Sequence, residues 1–306
     1  MKASRVTRKL RRRFDITQSA MPAAGYAYAP SLLTWFEVIG YTVLLEPDVA
    51  LGKHHIKRSS YKEVVLRDRL HRALQKINPT KPPEAIAKVI YQVTSTESSD
   101  LLENNRRFHK LLTDGVEVEY FFNEEIVHDK VWLIDPFNLL NNDWLVIHPL
   151  TIVEGNHAHC PDVVVFINGL PLAVIVSIYP GDEHATFKAG YRRIQTYLQQ
   201  IPKLFVYNSF LFITCKNQAR VGTLTSDLQE FLPWHTIDDE DFSLKGATEL
   251  EVLIQGIFDK RRFLEQVLHL IVFESNGTDI SKKLLRQPFC TEPNSNKTFR
   301  SPPVCG

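Results

Sequence analysis

The residues with the clearest chemical meaning surround one carboxylate, that of Asp162. Pro161-Asp162 precedes an apolar run, and an Asn168-Gly169 pair separates that run from a second one, from Leu170 to Pro180. An Asp in this position, together with a second carboxylate and a Lys two residues beyond it, can hold magnesium and orient a water molecule for attack on a phosphodiester. Asp162 is therefore a candidate metal ligand.

Aliphatic side chains occupy the other two places of this pattern. The spacing of a P-D-x(n)-[DE]-x-K motif puts the second carboxylate at Val176 and the lysine at Ile178. Neither side chain can bind a hard cation or donate a hydrogen bond to a phosphate. The sequence predicts the skeleton of a metal-dependent nuclease site from which most of the chemistry is missing.

Two strands and one helix are needed to position these residues. Asn168-Gly169 predicts a tight hairpin, because both central residues of a type I′ turn need positive φ, so Asp162 should face the second apolar run. Apolar residues recur at helical spacing from Phe187 to Leu198. This spacing predicts a helix across the sheet with Arg193 and Tyr197 on one side of it.

Further elements are predicted on both sides of this unit. Short helices are expected from Leu32 to Ile39, from the capping box of Ser60 and Glu63 to Ile77, and from Lys81-Pro82-Pro83 onward. Strands are expected at Val116 to Phe121, Val131 to Asp135, Trp144 to Ile147, Val163 to Ile167 and Phe210 to Thr214. Thr248 and Glu251 form a second capping box, and apolar spacing continues to Ile271, which predicts one long helix.

These elements divide the chain of 306 residues into successive parts. We expect a basic disordered arm over 1–30, a helical region over 31–112, a nuclease-like α/β core over 113–240, a long helix over 241–285 and a disordered tail over 286–306. The hydrophobic fraction of 44% is enough to bury a substantial core.

Several ordered segments resemble the amino-terminal nuclease region of the restriction (R) subunit of type I restriction-modification enzymes, over roughly residues 31 to 284. They are Leu-Leu-Glu-Asn-Asn-Arg (101–106), Gly-Val-Glu-Val-Glu-Tyr (115–120), Asn-Asn-Asp (141–143), Ile-Val-Glu-Gly (152–155), Asn-Gly-Leu-Pro-Leu (168–172) and Ala-Arg-Val-Gly-Thr-Leu-Thr (219–225). The resemblance implies an α/β (α+β) fold with a PD-(D/E)xK restriction-endonuclease-like core, whose mixed, mostly antiparallel sheet is flanked by helices.

The same resemblance assigns roles to individual positions. It implies that Asp162 is the surviving metal-ligand position, and that the family's Glu and Lys fall on Val176 and Ile178. A Gln-x-x-x-Tyr element of the family falls on Arg193 and Tyr197, so its Gln is replaced and its Tyr is kept. Magnesium is the family's cofactor.

The family protein continues into an ATP-driven DNA translocase, whereas the resemblance ends here near Leu285. No G-x-x-x-x-G-K-[ST] phosphate loop occurs in the sequence. We therefore expect no ATP site and no bound cofactor in this chain, and we interpret it as a truncated R-subunit fragment with a degenerate, inactive nuclease site that retains DNA or subunit binding.

Other interpretations remain open at this stage. One is an active magnesium-dependent DNA endonuclease with a rearranged site, in which Glu154 supplies a second oxygen to the ion beside Asp162 and Lys188 supplies the amine. Another is a decoy that occupies the docking surface for the R subunit on the methyltransferase, and it would co-purify with the methyltransferase and specificity subunits. A decaying gene product and a repurposed one have the same sequence signature.

Contact with DNA would have to come from local basic patches, because the net charge of +1 gives no general attraction. Lys188, Arg192 and Arg193 share one predicted helix and could contact the DNA backbone weakly and without sequence preference. Basic side chains are also common on exposed helical faces, so a solvated face fits equally well. The basic arm could contact phosphates or remain solvated.

The histidines and cysteines do not suggest a metal centre. His157, His159 and Cys160 are too close together to supply four zinc ligands without a distant pair, so a surface loop is expected. The four cysteines lack metal-ligand spacing, and no secretory signal or long apolar span is visible. These features favour reduced thiols, a cytoplasmic location and no membrane partner.

Overall fold

The computed structural model describes residues 25–46, 58–122, 124–178, 186–215, 218–234, 248–277 and 279–285. The predicted tail and most of the predicted basic arm lie outside the described residues. Residues 25–30, assigned to the arm, belong instead to the first helix. The division of the chain into five parts otherwise remains a prediction.

The helices in chain order are α1 (Gly25–Val38), α2 (Arg67–Ile77), α3 (Pro83–Thr94), α4 (Leu101–Asp114), α5 (Phe187–Gln200), α6 (Glu249–Ile257) and α7 (Lys260–Glu265). The strands are β1 (Thr42–Leu45), β2 (Val116–Phe122), β3 (Glu125–Val131), β4 (Trp144–His148), β5 (Ile152–Glu154), β6 (His157–His159), β7 (Val163–Ile167), β8 (Leu170–Ile178), β9 (Phe210–Cys215), β10 (Gln218–Gly222), β11 (Leu232–Pro233), β12 (Ile271–Asn276) and β13 (Asp279–Leu284). Short 3-10 turns occupy Leu139–Asn141 and Pro202–Tyr207.

The main sheet of the described residues has seven strands in the order β1-β4-β7-β8-β9-β10-β11. Only the pairs β1–β4 and β8–β9 are parallel, and the other four pairs are antiparallel. The predicted mixed, mostly antiparallel α/β fold is therefore confirmed. The region predicted to be helical also contributes β1 to this sheet. The largely apolar segment Thr42–Leu45 pairs in parallel with β4 and forms the edge of the sheet.

The predicted hairpin between β7 and β8 is confirmed. Asn168 and Gly169 both have positive φ, at 54° and 79°, and the two strands pair antiparallel from Ile167 and Leu170. Gly169 is also required by its neighbours, because a Cβ there would lie 2.5 Å from the backbone oxygen of Leu66. The turn thus docks against the start of α2.

Several helix predictions are confirmed and one start is wrong. Helices α3 and α5 lie where they were expected, and the Thr248 hydroxyl caps α6 by accepting from the backbone N–H of Glu251. The capping box at Ser60 and Glu63 does not form, since α2 begins only at Arg67. The Glu63 carboxylate accepts from the backbone N–H of Ser59 instead.

The predicted long helix of the carboxyl-terminal part is wrong. Helix α6 ends at Ile257, and α7 starts afresh after Asp259, whose side chain accepts from the N–H of Arg262. A π-helical turn follows, and β12 then pairs with β13 in an antiparallel hairpin. Apolar residues continue at helical spacing to Ile271, but the β-branched and aromatic residues from there onward favour strand pairing.

The strand predicted at Val131 to Asp135 is also misplaced, because β3 ends at Val131.

The central strands are covered by helices on both faces. On one face α5 lies so close to the sheet that a Cβ at Gly190 would lie 2.4 Å from a methyl group of Ile213. On the other face Phe210 and Phe212 pack against Phe258 and Phe263. Strands buried on both sides read as continuous apolar runs, as β7 and β8 do. Asp162 lies at the end of these two buried strands, directly before β7.

Candidate functional site

Asp162 is a fully buried carboxylate at the entry to β7. Its Oδ2 accepts hydrogen bonds from the backbone N–H of Ser177, at 2.8 Å, and from Nη2 of Arg193, at 3.0 Å. Among the described residues, none donates a hydrogen bond to the buried Oδ1. One oxygen of the carboxylate is therefore fixed by a strand and a helix, and the other oxygen is buried without a hydrogen-bond partner among the described residues.

Arg193 is the charged partner of this carboxylate. It reaches down from α5, and besides Asp162 it donates to the backbone oxygen of Ser177 at 3.1 Å and to the hydroxyl oxygen of Tyr197 at 3.0 Å. Its side chain is 34% exposed, whereas that of Asp162 is 0% exposed. Arg193 therefore lies between the buried carboxylate and the solvent.

The pKa values of the two helical residues reflect this contact. Burial lowers the pKa of Arg193, but the charge of Asp162 and the contact with Tyr197 outweigh it and raise the pKa above its ordinary value. Burial raises the pKa of Tyr197, and the nearby Arg193 opposes that rise. The guanidinium stays charged and the phenol stays neutral. Over the usual pH range Arg193 is therefore the donor in these hydrogen bonds, and Asp162 and Tyr197 are the acceptors.

Val176 and Ile178 are part of the core around this pair. Val163 pairs with Ile175, so Val176 lies beside Asp162 across the two strands. Val176 is 0% exposed and Ile178 is 6% exposed. A Cβ at Gly190 would lie 3.3 Å from Cγ1 of Ile178, which shows that Ile178 packs beneath α5. The two positions predicted to have lost a carboxylate and an amine are occupied by packed hydrocarbon.

The structure does not bring Glu154 to Asp162 in the way the rearranged site requires. That site needs the strand of Glu154 beside the strand of Asp162, whereas β5 pairs with β6 in a separate two-stranded sheet. The Glu154 carboxylate accepts instead from the backbone N–H of Lys203, at 3.0 Å. Lys188 and Arg192 are exposed on α5, while Arg193 is the basic residue of this helix that turns inward.

Two histidines border the site. His159 belongs to strand β6 rather than to the loop that was expected, with Nε2 at 2.5 Å from Oε1 of Gln200 and its ring 5.1 Å from the Tyr197 ring. Burial lowers the pKa of His159, against the hydrogen bond to Gln200, which raises it. His148 was missed by the sequence reasoning, and its Nδ1 donates to the backbone oxygen of Asp162 at 2.5 Å. The sequence held a signal, because a His directly follows the apolar run Trp144 to Ile147.

These residues do not fit a magnesium ion. Magnesium prefers octahedral oxygen ligands and is usually held by carboxylates, whereas among the described residues this site offers one carboxylate, with one oxygen already paired to an arginine. Within the described ranges, no group of three or more His, Cys, Asp or Glu side chains could hold a metal ion. What the arrangement can do chemically is to neutralise a buried carboxylate with a guanidinium.

A mixed sheet between helices, with a carboxylate at the entry to one of two central hairpin strands, defines a restriction-endonuclease-like domain. The family model for the type I restriction enzyme R protein N terminus matches residues 30–230. The chain belongs to this family of R-subunit amino-terminal regions.

Two relatives of the chain are named as endonuclease subunits of type I restriction enzymes. The type I restriction enzyme HindI endonuclease subunit of Haemophilus influenzae is 32% identical over 249 residues, which cover 80% of this chain and 24% of that protein. The MjaIXP endonuclease subunit of Methanocaldococcus jannaschii, a provisional assignment, is 28% identical over 243 residues, which cover 73% of this chain and 23% of that protein. The chain thus spans about a quarter of the length of these curated relatives. In the part of the chain that the structure describes, no helix has the length and apolar character to cross a bilayer.

Proposed function

We propose that this chain is the nuclease-like domain of a type I restriction R subunit in which the cleaving site is inactive. The observation that carries the proposal is the ion pair of Asp162 and Arg193, at 3.0 Å, beside the buried side chains of Val176 and Ile178. Hydrolysis in a P-D-x(n)-[DE]-x-K site needs a metal ion to polarise phosphate and water. A carboxylate already paired to a guanidinium, without a second carboxylate beside it among the described residues, is a poor place for that ion.

Plasmid cleavage tests this part of the proposal. Supercoiled plasmid incubated with the purified chain and magnesium should stay intact, and the Asp162→Ala variant should behave identically. As a control, Asp114→Ala removes an exposed carboxylate from the end of α4, far from β7 in the chain. Magnesium-dependent nicking that disappears in Asp162→Ala but persists in Asp114→Ala would establish the alternative, an active endonuclease with a rearranged site.

We further propose that the domain keeps a weak, nonspecific contact with the DNA backbone through α5. Lys188 and Arg192 are exposed and four residues apart, so they lie on the same face of the helix. Arg220 lies 4.2 Å from the ring centroid of Phe187, which places a third cation beside the start of α5. Two cations on one face of α5, with a third from β10 beside them, suit phosphates, which carry no sequence information.

Anisotropy titrations of a labelled duplex at several salt concentrations test the DNA contact. Replacing Lys188 and Arg192 together by Gln should weaken binding and reduce the slope of log K against log salt by about two, one for each lost phosphate contact. Arg106 and Lys110 form a matched control pair, since they are also exposed and four apart, on α4. Equal effects of the two double variants would mean that only the overall charge matters.

The methyltransferase and specificity subunits are proposed as protein partners on the strength of family membership alone. The relatives are named as endonuclease subunits of type I enzymes. Co-purification of the chain with those two subunits at micromolar concentration tests this, and clean separation would refute it.

A further inference from the structure

The buried carboxylate of Asp162 sets a requirement that the rest of the site must meet. An ionised carboxylate inside a protein is strongly destabilised unless a cation or several hydrogen-bond donors compensate it. Asp162 is fully buried and receives one backbone N–H, from Ser177. Among the described residues, the remaining compensation comes from the guanidinium of Arg193.

The guanidinium is held in place from three directions. Its acceptors are the Asp162 carboxylate before β7, the backbone oxygen of Ser177 on β8 and the Tyr197 hydroxyl on α5. A surface ion pair lacks such constraints and contributes little, whereas a planar guanidinium with several fixed acceptors is pre-organised for its carboxylate. Arg193 thus bridges the elements that position the site.

The uncharged side chains at positions 176 and 178 are consistent with a site that holds one positive charge, that of Arg193. Asp162 and Arg193 together carry no net charge, and the side chains of Val176 and Ile178 add none. A second carboxylate at position 176 would leave an uncompensated negative charge, and an amine at position 178 would add a positive one. Hydrocarbon at both positions leaves the carboxylate and the guanidinium of the described residues as a neutral pair.

We infer that Arg193 is the resident cation of this site and takes the electrostatic place of a divalent metal ion. The three departures from the motif, at Val176, Ile178 and Arg193, then form one coupled exchange of a metal for a guanidinium. This inference rests on the proposed function, because it assumes that the site has the ancestry of a metal-dependent nuclease. It adds that restoring the second carboxylate alone does not restore a metal site, since Arg193 still fills it.

Calorimetric titration with manganese chloride tests the inference without any cleavage readout. Manganese is the probe because oxygen ligands accept it readily. The Val176→Glu/Arg193→Gln variant should bind one ion at least about tenfold more tightly than Val176→Glu alone. The Val176→Glu/Arg193→Lys variant, which keeps a cation, should resemble Val176→Glu. Circular dichroism and a thermal transition verify that each variant is folded.

Three outcomes would overturn the inference. The first is equally tight manganese binding by Val176→Glu with and without Arg193, and the second is the absence of binding in both folded variants. The third is manganese binding by the wild-type chain, if the conservative substitution Asp162→Asn abolishes that binding. Failure of the proposed function is distinguishable, because it appears as plasmid cleavage by the wild-type chain, whereas these titrations compare affinities among variants.

Discussion

Lys282 provides the most direct quantitative test of how this fold balances buried charge. It lies on β13, is 1% exposed, and its ammonium donates to Oδ1 of Asn105 at 3.0 Å and to the backbone oxygen of Asn208 at 2.5 Å. Its partners in these bonds are neutral oxygens, and the ring of Phe273 lies 5.5 Å away. Burial lowers the pKa of Lys282 from 10.5 to about 7.

The sign of the pH effect follows from this lowered pKa. Between pH 7 and 10.5 the unfolded chain holds a proton on Lys282 that the folded chain does not, so unfolding takes up a proton and stability rises with pH. Below pH 7 both states are protonated, and the burial penalty is fully present. A slope of about 1.4 kcal/mol per pH unit at most gives the wild type a gain of about 2 kcal/mol from pH 7 to pH 9.

Replacement of Lys282 by Met removes this ionisable group and should remove the gain. Urea denaturation of wild type and Lys282→Met at pH 7, 8 and 9 measures the difference in unfolding free energy, in which the other titrating groups cancel. Lys283→Met is the matched control, because Lys283 is the next residue of the same strand and is 52% exposed. The reasoning is refuted if the difference between wild type and Lys282→Met is constant over this range or falls as pH rises.

Three further predictions follow from single contacts. Arg193→Gln should lower the unfolding free energy by about 3 kcal/mol, which is the low end for breaking a buried pair because the arginine is 34% exposed. Adding Asp162→Asn should restore part of that loss. Additive losses of the two changes in urea denaturation would contradict the coupling. Gly169→Ala should lower the unfolding free energy by at least about 2 kcal/mol more than Gly155→Ala in the same assay. Both glycines have positive φ, but of the two only Gly169 has backbone atoms within 3 Å of a new Cβ. Equal losses of stability would disprove the contact. Burial, then the charge of Lys282, lowers the pKa of His109 to about 4, so Lys282→Met should raise it in an NMR titration, and no change would show that the two groups are uncoupled.

The segments that carry the family resemblance prove to be largely structural. Asn105 donates to the backbone oxygens of three residues around the 3-10 turn, Phe205, Val206 and Asn208. Asp143 receives two hydrogen bonds from Arg69, and its backbone N–H donates to Asn168. The ordered motifs therefore identify the scaffold of the family and do not by themselves predict catalysis.

The sequence by itself determined those features that depend on local rules. Asn168-Gly169 specified its turn because few residue pairs tolerate positive φ twice, and the spacing from Phe187 to Leu198 specified α5 because one face must be apolar. That position 176 holds no carboxylate and position 178 no lysine was also readable from the sequence, since a side chain's chemistry does not depend on the fold.

Tertiary structure alone decided what local rules leave open. The apolar spacing through Ile271 suits a helix, but pairing with β13 in a hairpin overrode it because strand pairing and packing outweigh a weak helix propensity. Whether Arg193 faces the solvent or the core depends on the rotation of α5 over the sheet, and Gly190 lies where the helix approaches the sheet closely. His148, Lys203 and Lys282 gained their contacts from segments distant in the chain. Such contacts are set by packing in three dimensions, to which sequence spacing gives no direct access.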